Sequence, residues 1–142
     1  MLITCLTLND ENNFRFIIET EADGVLGIAT LTNIDWKNRR AMHGMKLANK
    51  EKRKKGIGTD TVMAIMKYAF DELQLNRLDG SWFDDNIASK KMYQKCGWKV
   101  EGRLRSCIYK NGRYRDLDVV GILRDEYYEL VKNNNYWGKK FE

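Results

Sequence analysis

The chain has 142 residues, with 25 lysines and arginines against 20 aspartates and glutamates and a formal net charge of +5. A hydrophobic fraction of 43% and an aromatic fraction of 11% supply the apolar surface for one packed core, which excludes a disordered chain. Acidic residues lie interspersed with the basic ones, so no segregated basic face marks a dedicated nucleic-acid binder.

The opening "MLITCLTLNDENN" has neither a basic n-region nor a cleavage site, and no apolar run reaches transmembrane length. A cytoplasmic location with no membrane partner is therefore expected. Residues 1–13 read as the stub of an N-terminal region. "FRFIIETE" (14–21) is β-rich; "ADG" then turns the chain into a second strand, "VLGIATLTNI" (25–34). After a loop at 35–40, "AMHGMKLA" (41–48) predicts a third strand. Val62, Ile65, Met66, Ala69 and Leu73 recur at helical spacing, which predicts an amphipathic helix over about 58–74. "NRLDGSWF" (76–83) returns to strand. "DDNIASKKMYQKCG" (84–97) has an Asp/Asn N-cap signal, good helix formers and a terminal glycine, the pattern of a short helix with a left-handed stop. Two β-rich runs, 98–109 and 114–123, flank "KNGR", and Asn-Gly between such runs predicts a hairpin. "RDEYYELVK" (124–132) allows one or two helical turns, and 133–142 reads as a loosely held tail.

The order β-β-β-α-β-α-β-β predicts a single α/β (α+β) domain over 1–142. Its sheet is mixed and mostly antiparallel, with a central right-handed β-α-β crossover and a C-terminal β-hairpin. Cys5, Cys96 and Cys107 are widely spaced, and His43 is the one histidine. Neither a metal site nor a disulfide framework is expected from them.

Chemistry concentrates in two places. "KEKRKKGIGTD" (50–60) sets five positive side chains and a Gly-x-Gly ahead of the first helix. A strand, a glycine turn and a helix N-terminus suit an anion, because the first backbone N–H groups have no intrahelical partner and the macrodipole adds positive charge. The pattern is neither a Walker loop nor Gly-x-Gly-x-x-Gly. Taken alone, it fits equally a helix entry with solvent-facing lysines. On the second helix, Asn86 and Tyr93 are seven residues apart, nearly two turns and about 10 Å along the axis, with Ser89 between them on the same side. An amide, a hydroxyl and a phenol along one stripe can line a cleft. A half-buried structural tyrosine fits the same spacing.

"RKKGIG" (53–58) resembles the Arg/Gln-x-x-Gly-x-Gly/Ala acyl-CoA loop of the GNAT superfamily of N-acetyltransferases. "DDNIASKKMYQKCGW" (84–98) resembles its Asn-x-x-Ala/Ser-x-x-x-Tyr-x-x-x-Gly-Phe segment, with Trp98 where Phe is usual. "EGRLRSCIYKNGRYRDLDVVGILRDEY" (101–127) is similar to the closing hairpin of the branch acting on ribosomal-protein N-termini and spermidine. The resemblance implies a V-shaped splay between strands 41–48 and 76–83 with acetyl-CoA as co-substrate lying in it, and no metal. Lys46, Leu47 and Ala48 would pair with the pantetheine amides. Arg53, Lys54, Lys55, Gly56, Ile57, Gly58 and Thr59 would cradle the pyrophosphate. Asn86, Ser89 and Lys91 would add contacts to the pantetheine arm, its wall and the nucleotide end. Tyr93 would protonate the leaving thiolate, after direct attack by a small-molecule amine or a protein N-terminus. A backbone amide near Leu47 would polarise the thioester carbonyl.

Two departures from the family pattern bear on turnover. Where relatives often carry a glutamate on the third strand, this chain has Met42 followed by His43. Strand alternation points these to opposite faces, and a structural His43 is the expectation. The general base stays unassigned, with Glu19, Glu21 and Asp85 as candidates acting through water. Cys96 as a covalent acyl carrier has no paired acid to support it. The second departure is at the front, where the family's first strand and two helices have no counterpart. That predicts an open edge at strand 14–21 and a homodimer or higher oligomer. The alternative to an enzyme is a truncated, catalytically weak scaffold that still binds acyl-CoA. A nucleic-acid partner is not expected, since Trp36 and Tyr68 are not interleaved with the basic cluster.

Overall fold

The structure is a computed structural model that describes residues 2–6, 10–48 and 56–141, with side chains described over 10–48 and 56–138. Two compact units, Met1–Gly80 and Ser81–Glu142, make up the chain.

In the first unit, β1 (Leu2–Leu6), β2 (Phe14–Thr20), β3 (Gly24–Asp35) and β4 (Arg40–Leu47) form an antiparallel meander. Helix α1 (Ile57–Lys67) and a π-helical turn (Tyr68–Glu72) then carry the chain over to β5 (Arg77–Phe83), which pairs parallel with β4 from Arg40↔Arg77 to Met42↔Asp79. Period-two alternation decides which face is buried: Phe16 and Ile18 on β2, Ala29 and Leu31 on β3, and Ala41 and His43 on β4 all turn inward. The 3.6-residue period does the same for α1, burying Val62, Ile65 and Met66. Each such aliphatic side chain contributes roughly 1.5–3 kcal/mol when fully buried. Tyr68 of the π turn meets the rings of Phe14 and Phe16 edge-on, at 6.2 and 5.3 Å between centroids.

In the second unit, α2 (Ile87–Lys95) leads into the hairpin of β6 (Lys99–Lys110) and β7 (Arg113–Leu123). Asn111 and Gly112 both take positive φ, 54° and 77°, as a two-residue turn of the primed type demands. Gly97 ends α2 at φ 90°. Helix α3 (Arg124–Asn134) starts where the Glu126 carboxylate accepts from the Leu123 N–H at 2.9 Å, and α4 (Tyr136–Phe141) follows it.

The expected class holds: the fold is mixed α+β and mostly antiparallel, with one parallel crossover and a closing hairpin. Three details differ from the sequence expectation. Strand 14–21 is not an open edge, because β1 pairs with it from Leu2↔Glu19 to Leu6↔Arg15. The first helix leaves α geometry after Lys67, in a π turn where the Leu73 N–H reaches back to the Tyr68 carbonyl at 3.1 Å. The tail after residue 133 contains α4, and Trp137 Nε1 donates to Tyr127 Oη at 2.9 Å.

Candidate functional site

The first unit supplies a strand end and a helix start. Pairing of β4 with β5 stops at Met42, while pairing with β3 continues to Gly27↔Leu47 and the Ala48 N–H still donates to the Leu26 carbonyl at 2.8 Å. Lys46 and Ala48 are exposed and Leu47 is half-buried at this end. Gly56 then sits at φ 78°, a left-handed N-cap that glycine adopts without strain, and no side chain among the described residues caps the helix. The first intrahelical bond is from the Asp60 N–H to the Gly56 carbonyl, at 2.9 Å. The amides of Ile57, Gly58 and Thr59 therefore precede the ladder and carry the positive end of the helix dipole. A Cβ placed on Gly56 would meet nothing within 4 Å among the described residues. Asp60, in the first turn, puts one negative charge near the same end. Arg53, Lys54 and Lys55 lie outside the described residues.

The second unit supplies the start of α2 and a nest of aromatic rings. Asn86 is the N-cap: its side-chain oxygen accepts from the Ser89 N–H at 3.2 Å, which leaves its amide NH2 as the donor for another partner. Asn86 and Lys91 are exposed and Ser89 is half-buried. Tyr93 stacks on Trp82 at 6.0 Å and meets Trp98 edge-on at 5.3 Å. Burial pushes the Tyr93 phenol well above its ordinary range, with a smaller contribution from neighbouring Cys96. The phenol thus stays protonated across the neutral range. Cys96 is buried, the environment of an inert thiol.

His43 is buried on the inner face, with Nδ1 at 3.3 Å from the Thr30 carbonyl oxygen, and burial lowers its pKa to about 4. It is a weak base turned into the core. Met42 is on the opposite face, 45% exposed. Asp85 is held by Arg115. No group of three or more potential metal ligands occurs among the described residues, and no helix there is long and apolar enough to cross a membrane.

One feature of the site escaped the sequence reading. Arg15, Ile28, Thr30, Gly44, Met45 and Lys46 line a pocket of about 320 Å³ on β2, β3 and β4. Alternation was the available signal: Arg15 and Ile17 flank Phe16 and so face away from the core.

Residues 2–119 match the acetyltransferase (GNAT) domain family. The chain is 37% identical over 106 residues to the Bacillus subtilis protein named "Putative ribosomal N-acetyltransferase YdaF", a match covering 74% of this chain and 57% of that protein's own length. Among solved structures, it is similar to the Vibrio cholerae spermidine N-acetyltransferase in complex with CoA and spermine, with a TM-score of 0.80 at 27% identity over 84% of this chain and 70% of that one. It is also similar to the dodecameric structure of that Vibrio cholerae enzyme in an intermediate state, with a TM-score of 0.78 at 27% identity over 83% and 68%. Since the matched domain spans most of its residues, the chain belongs to the GNAT acetyltransferase family.

Proposed function

We propose that the chain transfers the acetyl group of acetyl-CoA to an amine, either a small molecule or a protein N-terminus. The observation that carries this reading is the course of β4: it leaves β5 after Met42, runs on to Leu47, and is followed by a helix that opens at Gly56 without a side-chain cap among the described residues. The stretch of chain beyond the pairing of β4 with β5, at Lys46, Leu47 and Ala48, is the proposed place for the amides of a pantetheine arm. Uncapped N–H groups at 57–59 suit a pyrophosphate, assisted by Arg53, Lys54 and Lys55. Asn86, Ser89 and Lys91 are the further contacts proposed for the arm and the nucleotide end. The CoA-bound relative supports the choice of co-substrate.

Direct transfer needs a neutral amine and a proton for the departing thiolate. Tyr93 is proposed as the donor, since its phenol holds its proton at neutral pH and can hydrogen-bond a developing thiolate. No residue is assigned as general base. A second reading, an acyl-CoA-binding scaffold with little turnover, is favoured by one observation: the Tyr93 ring is packed against Trp82 and Trp98, a place that also fits a structural residue. The chain is further proposed to form a homodimer or higher oligomer. Among the described strands β1 comes last in the order, with an edge for pairing, and a relative is solved as a dodecamer. A monomer by light scattering overturns that part.

Thermal melting with acetyl-CoA, CoA and ATP tests the cofactor, and release of free CoA thiol across an amine panel tests turnover. At a hundredfold excess over its dissociation constant, a ligand stabilises by about 2.7 kcal/mol. A shift with acetyl-CoA and CoA but little with ATP is expected. No shift with either thioester or thiol overturns the reading. A shift without turnover of any amine supports the scaffold instead.

A further inference from the structure

We propose that the pocket on β2, β3 and β4 binds a carboxylate of the acceptor, so that the amine acetylated carries an acid group and is not a bare polyamine. This rests on the acetyl-transfer reading above.

The register builds the pocket. Arg15 pairs with Thr30 and Thr30 with Gly44, which sets these three in one row across the sheet, and Ile28 with Lys46 forms the next. A Cβ on Gly44 would come within 2.9 Å of Thr30 Oγ1, so glycine keeps this part of the wall low. The lining contains two cations and no carboxylate. Neither Arg15 nor Lys46 has an ion-pair partner among the described residues. The carboxylate opposite Met42 across the next strand pair, Asp79, is already held by Arg40 and Arg77 at 2.7 Å each. Among the described residues the Thr30 hydroxyl donates over a long 3.5 Å to the Gly44 carbonyl, so its proton can turn to an incoming oxygen at little cost. Ile28, 47% exposed, offers apolar contact for a short hydrocarbon stem.

A guanidinium, an ammonium and an uncommitted hydroxyl around an apolar patch match a carboxylate on a carbon chain. The same two charges repel a polycation. Met45 and Lys46 also lie beside Leu47 and Ala48, the strand end proposed for the pantetheine, so an acid held here is bound on the strand proposed to carry the thioester.

Calorimetric titration of the full chain with three probes tests this: N-acetyl-Asp-Gly-amide, N-acetyl-Asn-Gly-amide and spermidine. The acidic probe is expected to bind about tenfold more tightly than its neutral partner and to weaken as salt is added. In Arg15→Gln that preference is expected to fall below about threefold, while Arg15→Lys keeps most of it. Equal binding of the two dipeptides, no measurable binding of either, or tighter binding of spermidine each overturns the proposal. Melting with acetyl-CoA, run on the same proteins, reports separately on the transfer reading. Acid-selective binding without that shift upholds the pocket and overturns the transfer, and a shift without acid selectivity does the reverse.

Discussion

Trp82 donates its indole N–H to the buried carboxylate of Asp118 at 3.0 Å, while Arg103 Nε reaches the other carboxylate oxygen at 2.8 Å. The same indole stacks on Tyr93, so the orientation of the proposed acid leans on a charge on β7. The Arg103 hydrogen bond, more than any other interaction, holds the Asp118 carboxyl below the usual carboxylate range. Asp118→Ala leaves the Trp82 N–H buried without its partner and is expected to destabilise by about 1–3 kcal/mol in urea unfolding. Because the folded pKa is depressed, the contribution of Asp118 is present above the unfolded value near 3.9 and is lost as pH falls through the folded one. The variant should therefore lose less stability than wild type on acidification below about pH 4.

His43 gives the opposite kind of group and a different window. Its pKa falls from 6.5 to about 4 because the core disfavours the imidazolium. Between those values the unfolded chain binds a proton that the folded chain refuses, so stability drops as pH is lowered from about 6.5 to 4 and is level above that range. The full effect is on the order of 3 kcal/mol. Urea midpoints measured at pH 7.5 and 4.5 should differ by this effect in wild type, and His43→Gln should remove most of the difference. An unchanged difference in the variant assigns it to other groups.

Two glycines should fail in different ways. A Cβ on Gly27 would lie 2.2 Å from the Lys46 carbonyl oxygen, a backbone atom in the β3–β4 pairing. Gly27→Ala must separate those strands and is expected to cost several kcal/mol, in the range of severe core lesions. Gly112 has open space around it but φ of 77°, so Gly112→Ala should cost about 1–2 kcal/mol from backbone strain alone. Thermal melts of the two variants should rank in that order, with Gly27→Ala also lowering the apparent affinity for acetyl-CoA.

Tyr93→Phe keeps the ring, its stack on Trp82 and its edge contact with Trp98, and deletes only the hydroxyl. With the phenol as proton donor, kcat should fall about 100-fold or more, within the span of general acid catalysis. The melting shift with CoA should persist. An equal kcat in the variant removes Tyr93 from the chemistry and leaves it a packing residue.

Local chemistry made some of this structure legible and distance hid the rest. Asn111-Gly112 announces its turn because both positions need positive φ, and Asn86 announces a helix start because its side chain satisfies the Ser89 amide three residues on. β1 is not legible locally: "LITCL" is apolar enough for a strand, but its partner begins eight residues past Leu6, and residues 1–13 alone read as a stub. The π turn at Tyr68–Glu72 sits where Tyr68 meets the rings of Phe14 and Phe16, residues that no window of the helix sequence contains. Asp118 could have been noticed, since alternation sets it in line with the buried Val120 and Ile122, where a charge demands a partner. Tyr93 and Gly56 stood out through spacing and family resemblance. Arg15 and Thr30 did not, because nothing local shows that residues on neighbouring strands share a row.

The parallel joint of β4 and β5 holds through only three residue pairs, beginning at Arg40↔Arg77, whereas each antiparallel pairing in the meander is longer and joined by a short connection. Closing that joint requires the whole of α1 to be traversed first, so it carries the largest loop entropy of the unit and is expected to form after the meander. Amide protons at 40–42 and 77–79 should accordingly exchange with solvent sooner than those in the middle of β2 and β3. The chain thus places its weakest seam beside the strand end proposed to receive acetyl-CoA, and a ligand lying along β4 would act on assembly as a late clasp, slowing the reopening of a seam that the polypeptide alone closes last.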